Sequence, residues 1–207
     1  MNRITRGFCC LLLTLTFSVF SLGVHADGGS RGKGETTAVF KIPPDAEAGT
    51  VVGSSTLKRS KRGVEVSIET SMLEAGYTYT VWAAIFNYPE YCVADCSDAD
   101  LLGIGSGADA RLEPSLVYLT GRIAPGDSDV TNFKGSIKKG DMGVINRDLL
   151  VGRGLLNPKG AEIHVVIRCH GAPLFPDLVA VSEQMTSYGG GCDVNECVDV
   201  QAGLHRP

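Results

Sequence analysis

The chain is poor in the residues and motifs on which familiar enzyme chemistry depends. It has four histidines and one tryptophan, and it contains no phosphate-binding glycine loop, dinucleotide fingerprint or zinc-protease helix motif. The segment Gly103–Gly107 is similar to a nucleophile elbow, but Ser106 stands one place away from the required spacing. These absences argue against nucleotide-dependent enzymes and against the common hydrolases.

The chain also lacks an excess of positive charge, since its formal net charge is −4 at pH 7. The single basic run, Lys58–Arg62, precedes an alternating segment and is predicted to be a solvated hairpin turn. After residue 26 no apolar run approaches the roughly 20 residues that cross a bilayer. We therefore predict no nucleic-acid partner and no transmembrane segment in the mature chain.

The N-terminus, by contrast, has the composition of a secretory signal peptide. Arg3 and Arg6 are followed by the apolar stretch Phe8–Leu22 and then by small residues ending at Ala26. This pattern predicts cleavage before Asp27 and export to the periplasm or the extracellular space. The predicted organisation is a signal peptide over 1–26, a flexible polar tail over 27–36 and one domain over 37–207.

Five of the seven cysteines follow the signal peptide. Two close pairs can each bridge a short loop in an oxidising compartment, and one cysteine is left over. The predicted disulfides are Cys92–Cys96 and Cys192–Cys197, and the predicted free thiol is Cys169.

Short alternating segments separated by glycine, proline and aspartate predict an all-β domain with about eight or nine strands. We expect one antiparallel β-sandwich, with a barrel as the alternative, because no segment has a sustained helical period. The predicted strands are Ala38–Ile42, Thr50–Leu57, Val64–Glu69, Tyr77–Phe86, Ser115–Ala124, Val130–Ile137, Ala161–Cys169 and Val198–Leu204, with a weaker one at Leu178–Met185. The predicted core includes Val81, Trp82, Ile85, Ile163, Val165 and Ile167.

The segment Ala161–Cys169 concentrates titratable groups on one face of an otherwise apolar strand. That face is the candidate functional surface, because an imidazole beside a carboxylate can act as a ligand or as a general acid or base. Its members are Glu162, His164, Arg168 and His170. A solvated face with a cross-strand ion pair is the simpler interpretation.

A metal site on this face would be built from Glu162 and His164, which lie two residues apart and point the same way. A third ligand would come from Asp199 or His205. His164 and His170 would be about 20 Å apart at about 3.3 Å per residue, which is too far to share an ion.

Two other metals have candidate ligands in the sequence. A copper site would use Cys169, His170, His164 and Met185, although adjacent residues of a strand emerge on opposite faces. Calcium could bind the acidic turns 95–100 and 127–129, neither of which has the complete twelve-residue calcium loop. We predict no cofactor, and keep copper, zinc and calcium as alternatives.

Three segments of the chain resemble a group of uncharacterised secreted bacterial all-β proteins of similar length. The first joins Leu73–Trp82 to Phe86–Pro89 and Cys92, the second is Gly160–Arg168 with His170-Gly171, and the third runs from Cys192 and Cys197 into Asp199–Gln201. The resemblance implies a bacterial source and an exported location, but it implies no reaction.

The function expected from these features is a non-enzymatic binding or envelope-associated module. Its partner would be a small molecule, a glycan or an envelope protein. The alternative is a metal-binding protein or metal-dependent enzyme with a site near Glu162, His164 and Arg168.

Overall fold

The computed structural model describes residues 34–42, 49–102, 109–126, 128–141 and 152–207. The predicted signal peptide, most of the predicted tail, the Gly103–Gly107 segment and Asp127 lie outside the described residues.

The described elements are eight strands, two α-helices and two short 3-10 turns. In chain order they are β1 (Glu35–Lys41), β2 (Val51–Ser60), β3 (Gly63–Ser71), β4 (Thr78–Phe86), a 3-10 turn (Pro89–Tyr91), α1 (Asp98–Leu102), a 3-10 turn (Ala110–Leu112), β5 (Pro114–Ile123), β6 (Val130–Lys138), β7 (Glu162–Cys169), α2 (Leu178–Thr186) and β8 (Val198–His205).

The eight strands form one antiparallel sheet in the order β5-β4-β7-β8-β1-β2-β3-β6. Its two end strands, β5 and β6, lie close to each other. The Arg122 guanidinium of β5 donates a hydrogen bond to the Asn132 carbonyl of β6. A Cβ atom at Gly135 of β6 would lie only 2.7 Å from the Leu119 carbonyl oxygen of β5. The close approach of the two strands therefore depends on glycine at this position. The all-β prediction is confirmed, and the sheet takes the alternative, barrel-like arrangement.

The interior of this nearly closed sheet is mainly apolar, with the buried polar side chains of Ser55 and His205 as exceptions, and side chains alternate between the inner and outer faces along each strand. On β3 the inward residues Val64, Val66 and Ile68 are buried, whereas the intervening residues face solvent. β7 follows the same rule with its aliphatic face inward. The predicted core residues are all buried, and they are Val81, Trp82, Ile85, Ile163, Val165 and Ile167.

An outer layer covers β4, which is why every residue of that strand is buried. Phe86 packs outside the sheet with Leu101 of α1 and with Leu112. On the neighbouring strand the Tyr118 hydroxyl donates to the Met185 carbonyl at 2.7 Å, which fixes α2 against the sheet. A Cβ atom at Gly121 would lie 2.1 Å from the same carbonyl oxygen, so the close approach of α2 requires glycine there.

Three expectations about local structure were wrong or incomplete. The segment 178–185 is helical rather than a strand, because the Asp177 carboxylate caps α2 by accepting from the Val179 and Ala180 N–H groups. β1 begins at Glu35, inside the range predicted as tail. The predicted hairpin turn at Lys58–Arg62 is present only at Lys61 and Arg62, because Lys58–Ser60 belong to β2. Arg59 is not solvated, since only 11 % of its side chain is exposed and its guanidinium donates to the Ala161 carbonyl.

Candidate functional site

The outer face of β7 carries a carboxylate and an imidazole in direct contact. Nε2 of His164 lies 2.7 Å from Oε1 of Glu162 and donates to it, since an ionised carboxylate only accepts. Both side chains are largely buried, with 14 % and 8 % exposed. The Phe86 ring packs against the imidazole at a centroid distance of 4.9 Å. The predicted Glu162–His164 pairing is therefore present, in a fixed orientation.

Arg168, two positions beyond Val166 on the same face, is held by three kinds of contact. Its guanidinium donates to the Asp199 carboxylate at 2.7 Å and to the Tyr188 carbonyl at 2.9 Å, and it lies 4.0 Å from the Tyr188 ring centroid. Arg168 and Asp199 are cross-strand partners of β7 and β8. This is the cross-strand ion pair expected from the sequence.

Tyr188 connects the ion pair to the aromatic residues beneath it. Its hydroxyl donates to Asp199 at 3.3 Å, and its ring packs edge-on against Trp82 at 5.3 Å. Burial, together with the Asp199 charge, raises the pKa of Tyr188 to about 12. The phenol therefore stays protonated and serves as a hydrogen-bond donor.

Helix α1 adds carboxylates to the edge of this face. Burial and then repulsion by Asp199 raise the pKa of Asp98, against a smaller opposing effect of His164. Asp100 has a local role, because its carboxylate accepts from the N–H and hydroxyl groups of Ser97 in a capping arrangement. We call Asp98, Glu162, His164, Arg168, Tyr188 and Asp199 the outer β7 face.

His170 does not belong to the outer β7 face, although the sequence grouped it there. It follows the strand, is 0 % exposed, and lies in a buried chain of hydrogen bonds. Trp82 Nε1 donates to Thr80 Oγ1, Thr80 bonds to His170 Nε2 at 2.7 Å, and His170 Nδ1 lies 2.8 Å from the Gly190 carbonyl oxygen. Because a carbonyl only accepts, Nδ1 carries the proton. Burial lowers the pKa of His170, so the ring is neutral.

Among the residues that it describes, the structure does not bring together the ligand sets considered for zinc and copper, and the acidic turn 127–129 includes Asp127, which lies outside them. His205 is 0 % exposed inside the barrel, where Nε2 bonds to Ser55 at 2.8 Å, and Asp199 is engaged by Arg168. Cys169 belongs to the inner core. Within the described residues, one group of three histidine, cysteine or acidic side chains has its ligand atoms within 4.8 Å of one another: His170, Cys192 and Cys197.

Ser55, His205 and Glu35 form a hydroxyl–imidazole–carboxylate arrangement that no pattern in the sequence predicts. The Ser55 hydroxyl bonds to His205 Nε2, and His205 Nδ1 lies 3.5 Å from Glu35 Oε1. These residues come from three different strands and share no motif. Ser55 and His205 are both 0 % exposed, so an external substrate cannot reach the hydroxyl. The arrangement is therefore part of the barrel interior.

The predicted cysteine pairing is confirmed. Cys92–Cys96 and Cys192–Cys197 are disulfides, each with its Cα atoms 5.2 Å apart, and Cys169 is a buried free thiol. Burial raises the pKa of the Cys169 thiol, which keeps it protonated and unreactive.

Comparison with known proteins gives no relative for this chain. No protein-family model, no curated protein and no solved structure matches it. None of the described helices combines the length and the apolar character needed to cross a membrane.

Proposed function

We propose that the protein is an exported, non-enzymatic binding module, periplasmic or extracellular, whose ligand contacts the outer β7 face. The N-terminal composition of residues 1–26 supports export. Two disulfides also support it, because such bonds persist in oxidising compartments.

The observation that carries the proposal is the uneven pairing of charges on this face. Arg168 is paired with Asp199, and Arg206 is paired with Asp95 at 2.9 Å and with Glu162 at 3.7 Å. Within the described part of the chain, Asp98 accepts no hydrogen bond, and partial desolvation and then the Asp199 charge raise its pKa, although the residue as a whole is exposed to solvent. A cationic group placed between Asp98 and Asp199 would remove this repulsion. We infer that the ligand carries an ammonium group.

Fixed donors and acceptors beside these carboxylates favour a ligand with hydroxyl groups as well. Glu162 and His164 hold each other in place, and Tyr188 is anchored by Trp82 and Asp199. Such pre-organised polar groups lose little entropy on binding. An amino sugar combines an ammonium group with hydroxyls, so we assign the ligand to that chemical class.

Two catalytic alternatives have less support. A hydrolase based on Ser55 would need access to a hydroxyl that is 0 % exposed. A metal enzyme near Glu162, His164 and Arg168 would need a third ligand, and the carboxylate of the candidate Asp199 is already engaged by the Arg168 guanidinium.

The test is a titration of the chain beginning at Asp27 with short glucosamine oligomers and with their N-acetylated, uncharged counterparts. We expect amide chemical shifts on β7 and α1 to move with the glucosamine oligomers only. Asp98→Asn should weaken binding at least about tenfold, because it removes the unpaired charge. Asp129→Asn, a surface change between β5 and β6, is the matched control. Equal affinities of the two variants would refute the assignment of the site.

A further inference from the structure

The Cys192–Cys197 disulfide lies directly beside the buried imidazole of His170. Sγ of Cys197 is 3.6 Å from His170 Nδ1, and the ligand atoms of all three residues lie within 4.8 Å of one another. The imidazole is 0 % exposed, whereas both cysteines are partly accessible. A reagent that reduces the bond can therefore reach the sulfur atoms while the imidazole stays in place.

We propose that reduction of the Cys192–Cys197 disulfide creates a zinc site made of two thiolates and the Nδ1 atom of His170. In the oxidised protein the sulfur atoms are bonded to each other and are not thiolate ligands. A dithiol transfers two electrons and two protons to the bond and becomes a disulfide itself, leaving two thiols in the protein. Zinc then replaces both thiol protons, so two protons are released for each ion bound.

The geometry before reduction is close to that of the proposed site. Zinc binds sulfur at about 2.3 Å and nitrogen at about 2.05 Å, so in a tetrahedral site the sulfur and nitrogen atoms of two ligands lie about 3.6 Å apart. The observed separation of Cys197 Sγ and His170 Nδ1 is 3.6 Å. The two sulfurs need a separation of about 3.8 Å, which the Cα separation of 5.2 Å permits.

Binding also requires a change of tautomer at His170. Nδ1 now carries the proton and donates it to the Gly190 carbonyl, so a metal at Nδ1 requires the proton to move to Nε2. Thr80 Oγ1 lies 2.7 Å from Nε2 and can accept this proton once its own hydroxyl hydrogen rotates away. The Trp82 N–H continues to donate to the same oxygen, which has two lone pairs. Thr80 and Trp82 therefore accommodate both tautomers, whereas the Gly190 carbonyl loses its donor and has to move away from Nδ1 when the metal binds.

Three protein ligands leave the fourth position of zinc open to water. The site would be thiolate-rich, which selects zinc or copper(I) over calcium and magnesium. This zinc site differs from the sites considered on the outer β7 face, and it does not depend on the proposed amino-sugar ligand.

The test uses the Cys92→Ser/Cys96→Ser variant, which leaves one reducible disulfide. After reduction with a phosphine and removal of the reductant under anaerobic conditions, Co²⁺ serves as the spectroscopic probe. We expect one Co²⁺ per chain, with thiolate-to-metal charge transfer and the intense visible bands of a tetrahedral site, displaced by Zn²⁺. The oxidised protein should show none of these bands. Imidazole ¹⁵N spectra should show the His170 proton moving from Nδ1 to Nε2.

His170→Gln in the same background should weaken Co²⁺ binding at least about tenfold, and His164→Gln is the matched control that should leave it unchanged. Circular dichroism of each reduced variant establishes that it is folded, and His170→Asn provides a second variant if His170→Gln does not fold. Three results would overturn the proposal: no cobalt bound by the reduced protein, equal binding in the oxidised protein, or an unchanged affinity and spectrum without His170.

Discussion

The two faces of β7 show how one strand separates stability from recognition. Its inner face presents Ile163, Val165 and Ile167, each no more than 1 % exposed, to the interior of the barrel. Its outer face presents Glu162, His164 and Arg168, and each of these has a polar partner at hydrogen-bonding distance. The inner face is stabilised by close packing of aliphatic side chains, whereas the outer face is stabilised by specific hydrogen bonds and an ion pair. Substitutions on the two faces should therefore act through different physical effects.

The largest expected effect is on the inner face. Ile167→Ala should lower the free energy of unfolding by about 2–5 kcal/mol, because the side chain is 0 % exposed and its removal leaves a cavity. Val166→Ala, one residue away on the partly exposed outer face, is the matched control and should cost about 1 kcal/mol or less. Equilibrium unfolding in urea measures both values. Similar losses for the two variants would contradict the assignment of the faces.

The inner face was predictable because burial leaves a signal in the sequence. Alternation of aliphatic and polar residues at Val64–Glu69 and at Ala161–Cys169 indicates which side chains point inward, independently of distant parts of the chain. The short Cys92–Cys96 and Cys192–Cys197 spacings likewise make those pairs the local choice, and both formed. Features that depend on local periodicity or on short loops are accessible from the sequence.

Features that depend on distant contacts were not predictable. The buried residues of helix α2 are Val181 and Gln184, whereas its apolar residues Leu178 and Val179 are exposed, so the apolar positions do not mark the buried face. His170 was placed on the outer face by extending the strand by one residue, whereas the chain leaves β7 there and buries the ring against Thr80. No local pattern signals a bond between Ser55 and His205, which are 150 residues apart.

An intermediate effect is expected for the ion pair on the outer face. Arg168→Gln and Asp199→Asn, singly and together, form a double-mutant cycle whose coupling free energy should be about 1 kcal/mol, because the pair is only partly shielded from water. The coupling should decrease at high salt, since ions screen partly exposed charges. Thermal or urea unfolding of the four proteins gives the value. A coupling several times larger would mean that the outer face contributes to stability as the interior does.

The smallest effect is expected where the interior meets solvent, at Glu35. Burial raises the pKa of its carboxyl, but the nearby His205 imidazole, whose Nδ1 lies 3.5 Å from Oε1, and the Arg59 guanidinium together outweigh burial, so the pKa lies below the ordinary value of 4.5. The unfolded chain therefore binds a proton at higher pH than the folded protein does. It follows that the stabilisation due to Glu35 is complete above about pH 4.5 and is lost as the pH falls below that value.

Urea unfolding of the wild type and of Glu35→Gln, measured from neutral to acidic pH, tests this prediction. The wild type should be more stable than the variant at neutral pH, and the difference should shrink as the pH is lowered through 4.5 and below. Glu69→Gln, on the outward side of β3, is the matched control for the loss of one surface carboxylate. A difference between wild type and Glu35→Gln that stayed constant with pH would show that the Glu35 contacts with His205 and Arg59 are not electrostatic. The end of the barrel at Glu35 would then be stabilised by packing, as the inner face of β7 is, and not by charge, as the outer face is.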